Sequence, residues 1–218
     1  MKQNLTDITV VLDRSGSMEV VKADTIGGFN TFLKSQKEAV GEANLTLAQF
    51  DTEYELVHSG KPIKDVPELT DKIFVPRGMT ALLDAIGRSI NATGARLANT
   101  PEENRPAKVI FVILTDGEEN SSHEFTKEKI NEMIKHQTET YKWDFVFLGA
   151  NQDAIKTGTS YGISANSSLS YKADAYGTKT VFDSMAVNMS NYRSGSVSGQ
   201  SFFNDVDRDA QAKAKNMP

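Results

Sequence analysis

Six consecutive apolar residues, Val109-Ile110-Phe111-Val112-Ile113-Leu114, do most to limit what this chain can become. Successive side chains of a strand point to opposite faces, so a strand apolar at every position needs cover on both sides. That environment is the middle of a parallel sheet with helices above and below it. The run stops at Thr115-Asp116-Gly117. Two other apolar runs, Ile8 to Leu12 within a strand from Leu5, and Asp144 to Leu148, read as further strands.

The segments between these runs change period. Met18, Val21, Thr25, Phe29, Phe32 and Leu33 recur at helical spacing and predict a helix from about Met18 to Gln36. Gly27-Gly28 falls inside it, where close packing against the sheet would justify the pair. Leu45 to Asp51 and Tyr54 to Ser59 predict a hairpin, and hence one antiparallel strand at an edge. Lys61 to Pro76, with three prolines, reads as loop with a helical turn near Glu68 to Lys72. Leu82, Ile86, Ile90, Thr93 and Leu97 line a second helix opened by Arg77-Gly78-Met79-Thr80. Thr126 is set to cap a third, with Phe125 and Ile130 as a hydrophobic staple and Ile130, Met133, Ile134 and Gln137 on one face. A short helix from Asp153 to Tyr161, a strand from Ser167 to Tyr171 and a helix capped by Thr178 complete the order. The fold class predicted is α/β: a doubly wound, mostly parallel central sheet with one antiparallel edge strand and helices on both faces.

With 218 residues the chain has enough material for one large domain, placed here at 1–193. From Ser194 a Ser/Gly-rich stretch suggests a linker, and 194–218 is expected to be a flexible or partner-dependent tail. A net charge of −5 supplies no electrostatic footprint for nucleic acid or an anionic membrane. Cysteine is absent, which removes disulfides, thiolate zinc sites and a cysteine nucleophile. No leader-like start and no run of about 18 apolar residues is present, so the expected location is cytoplasmic.

Three loops carry chemistry. Asp13-x-Ser15-x-Ser17 follows the first strand, Gly78-Met79-Thr80 opens a helix, and Asp116 follows the long apolar strand. In a doubly wound sheet, ligands bind beyond the carboxyl ends of the strands, near the reversal of strand order. Oxygen-bearing side chains on alternate residues converge when the loop curls, as Gly16 permits, and an oxygen-only set suits a hard cation such as Mg²⁺.

These three motifs, in this order, resemble the metal-ion-dependent adhesion site (MIDAS) of von Willebrand factor type A (vWA) domains, and the resemblance extends from about Leu5 to Tyr192. It implies a Rossmann-like vWA fold in which Ser15, Ser17 and Thr80 ligate the metal directly. It assigns Asp13 and Asp116 to act mostly through coordinated waters. Mg²⁺ is the expected ion, with Mn²⁺ or Ca²⁺ as alternatives. A protein partner would supply an Asp or Glu carboxylate to the open position. The function expected is therefore a metal-dependent protein–protein interaction module and not an enzyme.

The second reading is a scaffold of the same fold that uses its tail, with Phe202-Phe203-Asn204-Asp205 as an aromatic anchor. In a variant of it, Asp205 or Asp207 docks into a neighbour's metal site, giving self-association through the tail. A Mg²⁺-dependent phosphatase-like hydrolase trails, because it needs a second aspartate where Ser15 stands. Gly158-Thr159-Ser160-Tyr161-Gly162 matches a hydrolase nucleophile motif, but a helix precedes it and all three histidines come earlier in the chain. Of the neighbouring residues, Arg14 is a candidate rim contact for a partner, Glu118 and Glu119 read as a solvated loop, and Asp84 reads as structural.

Overall fold

A computed structural model of the protein describes residues 1–215. Its six strands are β1 (Lys2–Asp13), β2 (Glu42–Phe50), β3 (Tyr54–Pro62), β4 (Pro106–Thr115), β5 (Asp144–Ala150) and β6 (Ser168–Tyr171). Its helices are α1 (Lys22–Glu38), α2 (Leu82–Ala98), α3 (Lys127–Tyr141), α4 (Ala154–Ser160), α5 (Ala175–Ser194) and α6 (Asp205–Lys215). The strands form one sheet in the order β3-β2-β1-β4-β5-β6. All neighbours are parallel except β2 and β3, so the hairpin supplies the antiparallel edge.

The apolar run of β4 lies at the middle of the sheet, between β1 and β5, and its alternate side chains feed two cores. Ile110, Val112 and Leu114 join Leu12, Phe29, Phe32, Phe182 and Met185 under α1 and α5. Phe111 and Ile113 join Ile86, Ile90, Ile130 and Ile134 under α2 and α3. Phe111 stacks on Trp143 and Phe145, at ring distances of 5.5 and 5.1 Å. The strand is therefore covered on both faces, as its composition requires. The chain leaves β1 toward β2 and later returns on the other side as β4, so the crevice beyond Asp13 and Thr115 sits at the reversal of strand order.

Local structure departs from expectation in several places. The residues after Ser15 first form a 3-10 helix, Gly16–Val21, and the α-helix begins only at Lys22. Gly28 is close-packed, but against α5 and not the sheet: a Cβ there would lie 2.3 Å from Phe182 Cδ2. Segment 61–76 makes a 3-10 turn at Ile63–Asp65 and, overlapping the expected place, a helical turn closed by the Phe74 N–H on the Thr70 carbonyl at 2.9 Å; it buries Ile63, Val66, Leu69 and Phe74 in the core. Thr126 does cap α3, accepting from the Lys129 N–H at 3.2 Å. The last long helix starts before Thr178; its cap is Asp174, which accepts from the Gly177 N–H at 2.8 Å. Thr178 itself is buried inside that helix.

The expected tail is the largest correction within the described residues. Phe202 and Phe203 are buried in the main core beside Tyr192, and so offer a partner no free anchor. The Phe203 N–H donates to the Asn166 carbonyl, Ser167 Oγ donates to the Gly199 carbonyl, and Arg208 donates to the Ala165 and Ser168 carbonyls. Asp207 accepts from Asn188 Nδ2 at 3.0 Å. Burial of two aromatic rings outweighs the flexibility suggested by the Ser/Gly composition. Residues 216–218, also part of the tail expectation, lie outside the described residues.

Candidate metal centre

Asp13 ends β1 and is fully buried. Both of its carboxylate oxygens are engaged: Oδ1 accepts from the Ser15 N–H at 2.7 Å and Oδ2 from the Thr115 hydroxyl at 2.6 Å. Burial pushes its pKa up to about 6 against the pull of those two donors, with a smaller push from Asp116. The Ser15 turn carries its hydroxyl to within 3.1 Å of Ser17 Oγ. Ser17 Oγ in turn donates to Asp116 Oδ1 at 2.7 Å. Asp116 is half-buried, and burial raises its pKa in spite of the Ser17 bond.

Thr80 arrives from the other side. Its loop is stitched to the first by bonds from the Gly16 N–H to the Gly78 carbonyl (3.2 Å) and from the Arg77 N–H to the Arg14 carbonyl (2.8 Å). Gly78 has φ +66°, and a side chain there would meet Thr52 Oγ1 at 2.7 Å. The Thr80 hydroxyl is not used as a helix cap: α2 is capped at Ala81, and Glu119 accepts from the Leu83 N–H instead. A Cβ on Gly117 would stand 3.0 Å from Thr80 Oγ1 and 3.7 Å from Ser17 Oγ, so the glycine keeps open the space those hydroxyls face.

The structure thus brings together all five residues singled out in the sequence: Asp13, Ser15, Ser17, Thr80 and Asp116. Adjacent oxygens of an octahedral Mg²⁺ shell at about 2.1 Å from the ion stand about 3 Å apart. The separations of 3.1 Å (Ser15–Ser17) and 2.7 Å (Ser17–Asp116) fall near that value. Among the described residues no three His, Asp or Glu side chains group to hold a metal. A set of three hydroxyls and two carboxylates has a different chemistry, and it fits a hard cation that keeps several waters.

Around this cup the sequence left several residues unassigned or misassigned. Arg14 is not a rim contact; it is buried, donating to Asp51 Oδ2 (2.9 Å) and Glu55 Oε2 (2.5 Å). Arg77 donates to the same Asp51 oxygen at 2.9 Å, so one buried carboxylate joins the end of β2 to both loops. Glu119 is not merely solvated: besides Leu83, it accepts from the N–H groups of Ser121 and Ser122. Asn120 brackets Thr80, its Oδ1 accepting from the Thr80 N–H and its own N–H donating to the Thr80 carbonyl. Gln152 Nε2 donates to the Gly117 carbonyl at 3.1 Å. Asp84 is structural as expected, accepting from the N–H groups of His123, Glu124 and Phe125. No local pattern in the sequence marks Asp51, Asn120 or Gln152, because their partners lie tens of residues away.

The sequence matches the von Willebrand factor type A domain family over residues 7–184, and the chain belongs to that family. No curated protein sequence matches it. Among solved structures, it is similar to proximal thread matrix protein 1 from the mussel byssus with a zinc-occupied MIDAS motif (13% identity, TM-score 0.60, covering 86% of this chain and 48% of that one). It is also similar to the pilus adhesin SpaC from Lactobacillus rhamnosus GG in its open conformation (17% identity, TM-score 0.63, 88% and 31%). A third similar structure is the vWF domain of the type V pili tip protein Mfa5 from Porphyromonas gingivalis (12% identity, TM-score 0.59, 87% and 96%). The chain thus spans about half of the mussel protein and a third of the adhesin. At these identities the likeness is one of fold. vWA domains commonly mediate protein–protein adhesion, and no helix among the described residues is long and apolar enough to cross a membrane.

Proposed function

We propose that the three loops hold Mg²⁺ and that the chain takes a partner protein's carboxylate through it. One observation carries this reading. Asp13, the innermost acid, has both oxygens committed to protein donors, while the Ser15 hydroxyl lies beside that of Ser17, and the Ser17 and Thr80 hydroxyls face the space kept open by Gly117. Neutral hydroxyls as direct ligands leave the cation strongly Lewis acidic, and its open position then favours an external anion. Asp13 and Asp116 balance charge and orient bound water, with Asp116 half-exposed at the opening. The zinc-occupied motif of the mussel protein supports a divalent ion here. Mn²⁺ or Ca²⁺ would fit the same oxygen set less selectively.

The test is thermal unfolding with and without millimolar Mg²⁺, beside Asp116→Ala. An ion at about 100 times its Kd adds about 2.7 kcal/mol, a rise of about 5–10 °C for a domain of this size. The variant should lose most of that gain. A wild-type melt unmoved by Mg²⁺ and Mn²⁺ refutes the site. A pull-down whose captured protein is released equally by EDTA and by buffer refutes the carboxylate bridge.

A further inference from the structure

Several hydroxyls are buried without any hydrogen-bond partner. Thr25 and Thr178 lie on helices and Ser121 on a loop, but Tyr171 ends strand β6 at the same edge of the sheet as the metal loops. The strand register places it more closely. Gly149 pairs with Thr115 on one side and Ser170 on the other, and Ala150 pairs with Tyr171. The next row outward therefore runs Asp116, Ala150, Tyr171. Leu114, Leu148, Ala150, Leu169 and Tyr171 all face the α1/α5 layer. Two strand spacings, about 10 Å, separate the ends of that row, and Ala150 is its middle residue. Tyr171 thus sits in the row that continues into Asp116, on the α1/α5 face of the sheet. Its pKa is raised well above the ordinary value, first by burial and then by the carboxylates of Asp116 and Asp13. At neutral pH it is therefore an O–H donor.

We propose that Tyr171 is a positioning residue of the metal centre: its O–H donates through one water to the Asp116 carboxylate and fixes the orientation in which Asp116 serves the bound ion. The proposal rests on the Mg²⁺ reading above. A buried donor with no protein partner is costly unless it is satisfied from the site itself. Asp116 otherwise has only the Ser17 hydroxyl as a side-chain donor, and that hydroxyl is itself needed as a ligand.

Tyr171→Phe tests this with two measurements on the full chain. Mg²⁺ affinity by calorimetry should fall about tenfold, in line with other groups that hold a ligand from behind. Urea unfolding in EDTA should show the metal-free variant at least as stable as wild type, because an unpartnered hydroxyl has been removed from a space the phenyl ring still fills. A variant that binds Mg²⁺ within twofold of wild type overturns the role of Tyr171 and leaves the metal reading standing. A parallel loss of metal-free stability assigns the residue to packing and also overturns it. A wild type that binds no Mg²⁺ removes the reading beneath. As a spectroscopic check, Mg²⁺ should produce a near-ultraviolet tyrosine difference signal in wild type that is absent from Tyr171→Phe; the same signal in both refutes the proposal.

Discussion

Phe202→Ala probes whether the segment after α5 is part of the domain. The ring is 1% exposed and lies 6.5 Å from the ring of Tyr192 and 5.0 Å, edge to face, from that of Phe203. Truncating a buried phenylalanine costs about 3–5 kcal/mol in transfer and cavity terms. The upper half of that range is expected here, because two aromatic contacts go with it, each worth about 0.5–1.5 kcal/mol beyond its area. A typical domain is stable by about 5–15 kcal/mol, so the loss is a large share of the total. Urea unfolding followed by far-ultraviolet dichroism is the assay. A lowered midpoint at unchanged m-value reads the destabilisation directly. Truncation after Arg193 should go further and abolish cooperative unfolding, since it also removes the Gly199 and Arg208 bonds to β6 and the turn before it. A Phe202→Ala cost below about 1 kcal/mol would show that the ring is not held in the core, and the docking inference would fail.

Two further perturbations separate causes that look alike in sequence. Gly28→Ala should destabilise by about 1–3 kcal/mol through the clash with Phe182, whereas Gly27→Ala, with nothing within 4 Å of its Cβ, should gain up to about 1 kcal/mol of helix propensity; equal effects in chemical unfolding would refute the packing account. In EDTA, the raised Asp13 pKa means that the folded state binds a proton the unfolded chain has already lost. Metal-free stability from this group is therefore highest below about pH 4 and falls as pH rises to about 6, by up to about 3 kcal/mol. Asp13→Asn should remove that slope, and a wild-type-minus-variant difference that stays constant from pH 4 to 7 would refute it.

The alternation of apolar runs and helical stripes was legible because each depends on residues a few positions apart. Val109 to Leu114 announced a doubly covered strand, and the hairpin at Tyr54 followed from spacing alone. The five oxygen-bearing residues were legible because each belongs to a short motif. What escaped depends on distant partners. Arg14 looked like a surface cation until Asp51, 37 positions away, drew it inward. Thr178 is a sound cap by type, yet Asp174 takes the role because its carboxylate reaches the Gly177 N–H. Phe202 and Phe203 sit in a polar stretch whose composition resembles a linker, and only the groove beside Tyr192 accounts for their burial.

The bond between Thr115 and Asp13 joins residues 102 positions apart. Closing a flexible loop of that length costs about 4 kcal/mol of chain entropy. The pairing of β1 with β4 is thus among the slower steps open to this chain, since non-local strand pairing must bear that cost before any contact compensates. The three loops meet across this seam, so the cup exists only after the seam has closed. An ion held there would act on the native side of the folding barrier, slowing escape from the folded state while leaving the rate of reaching it nearly unchanged.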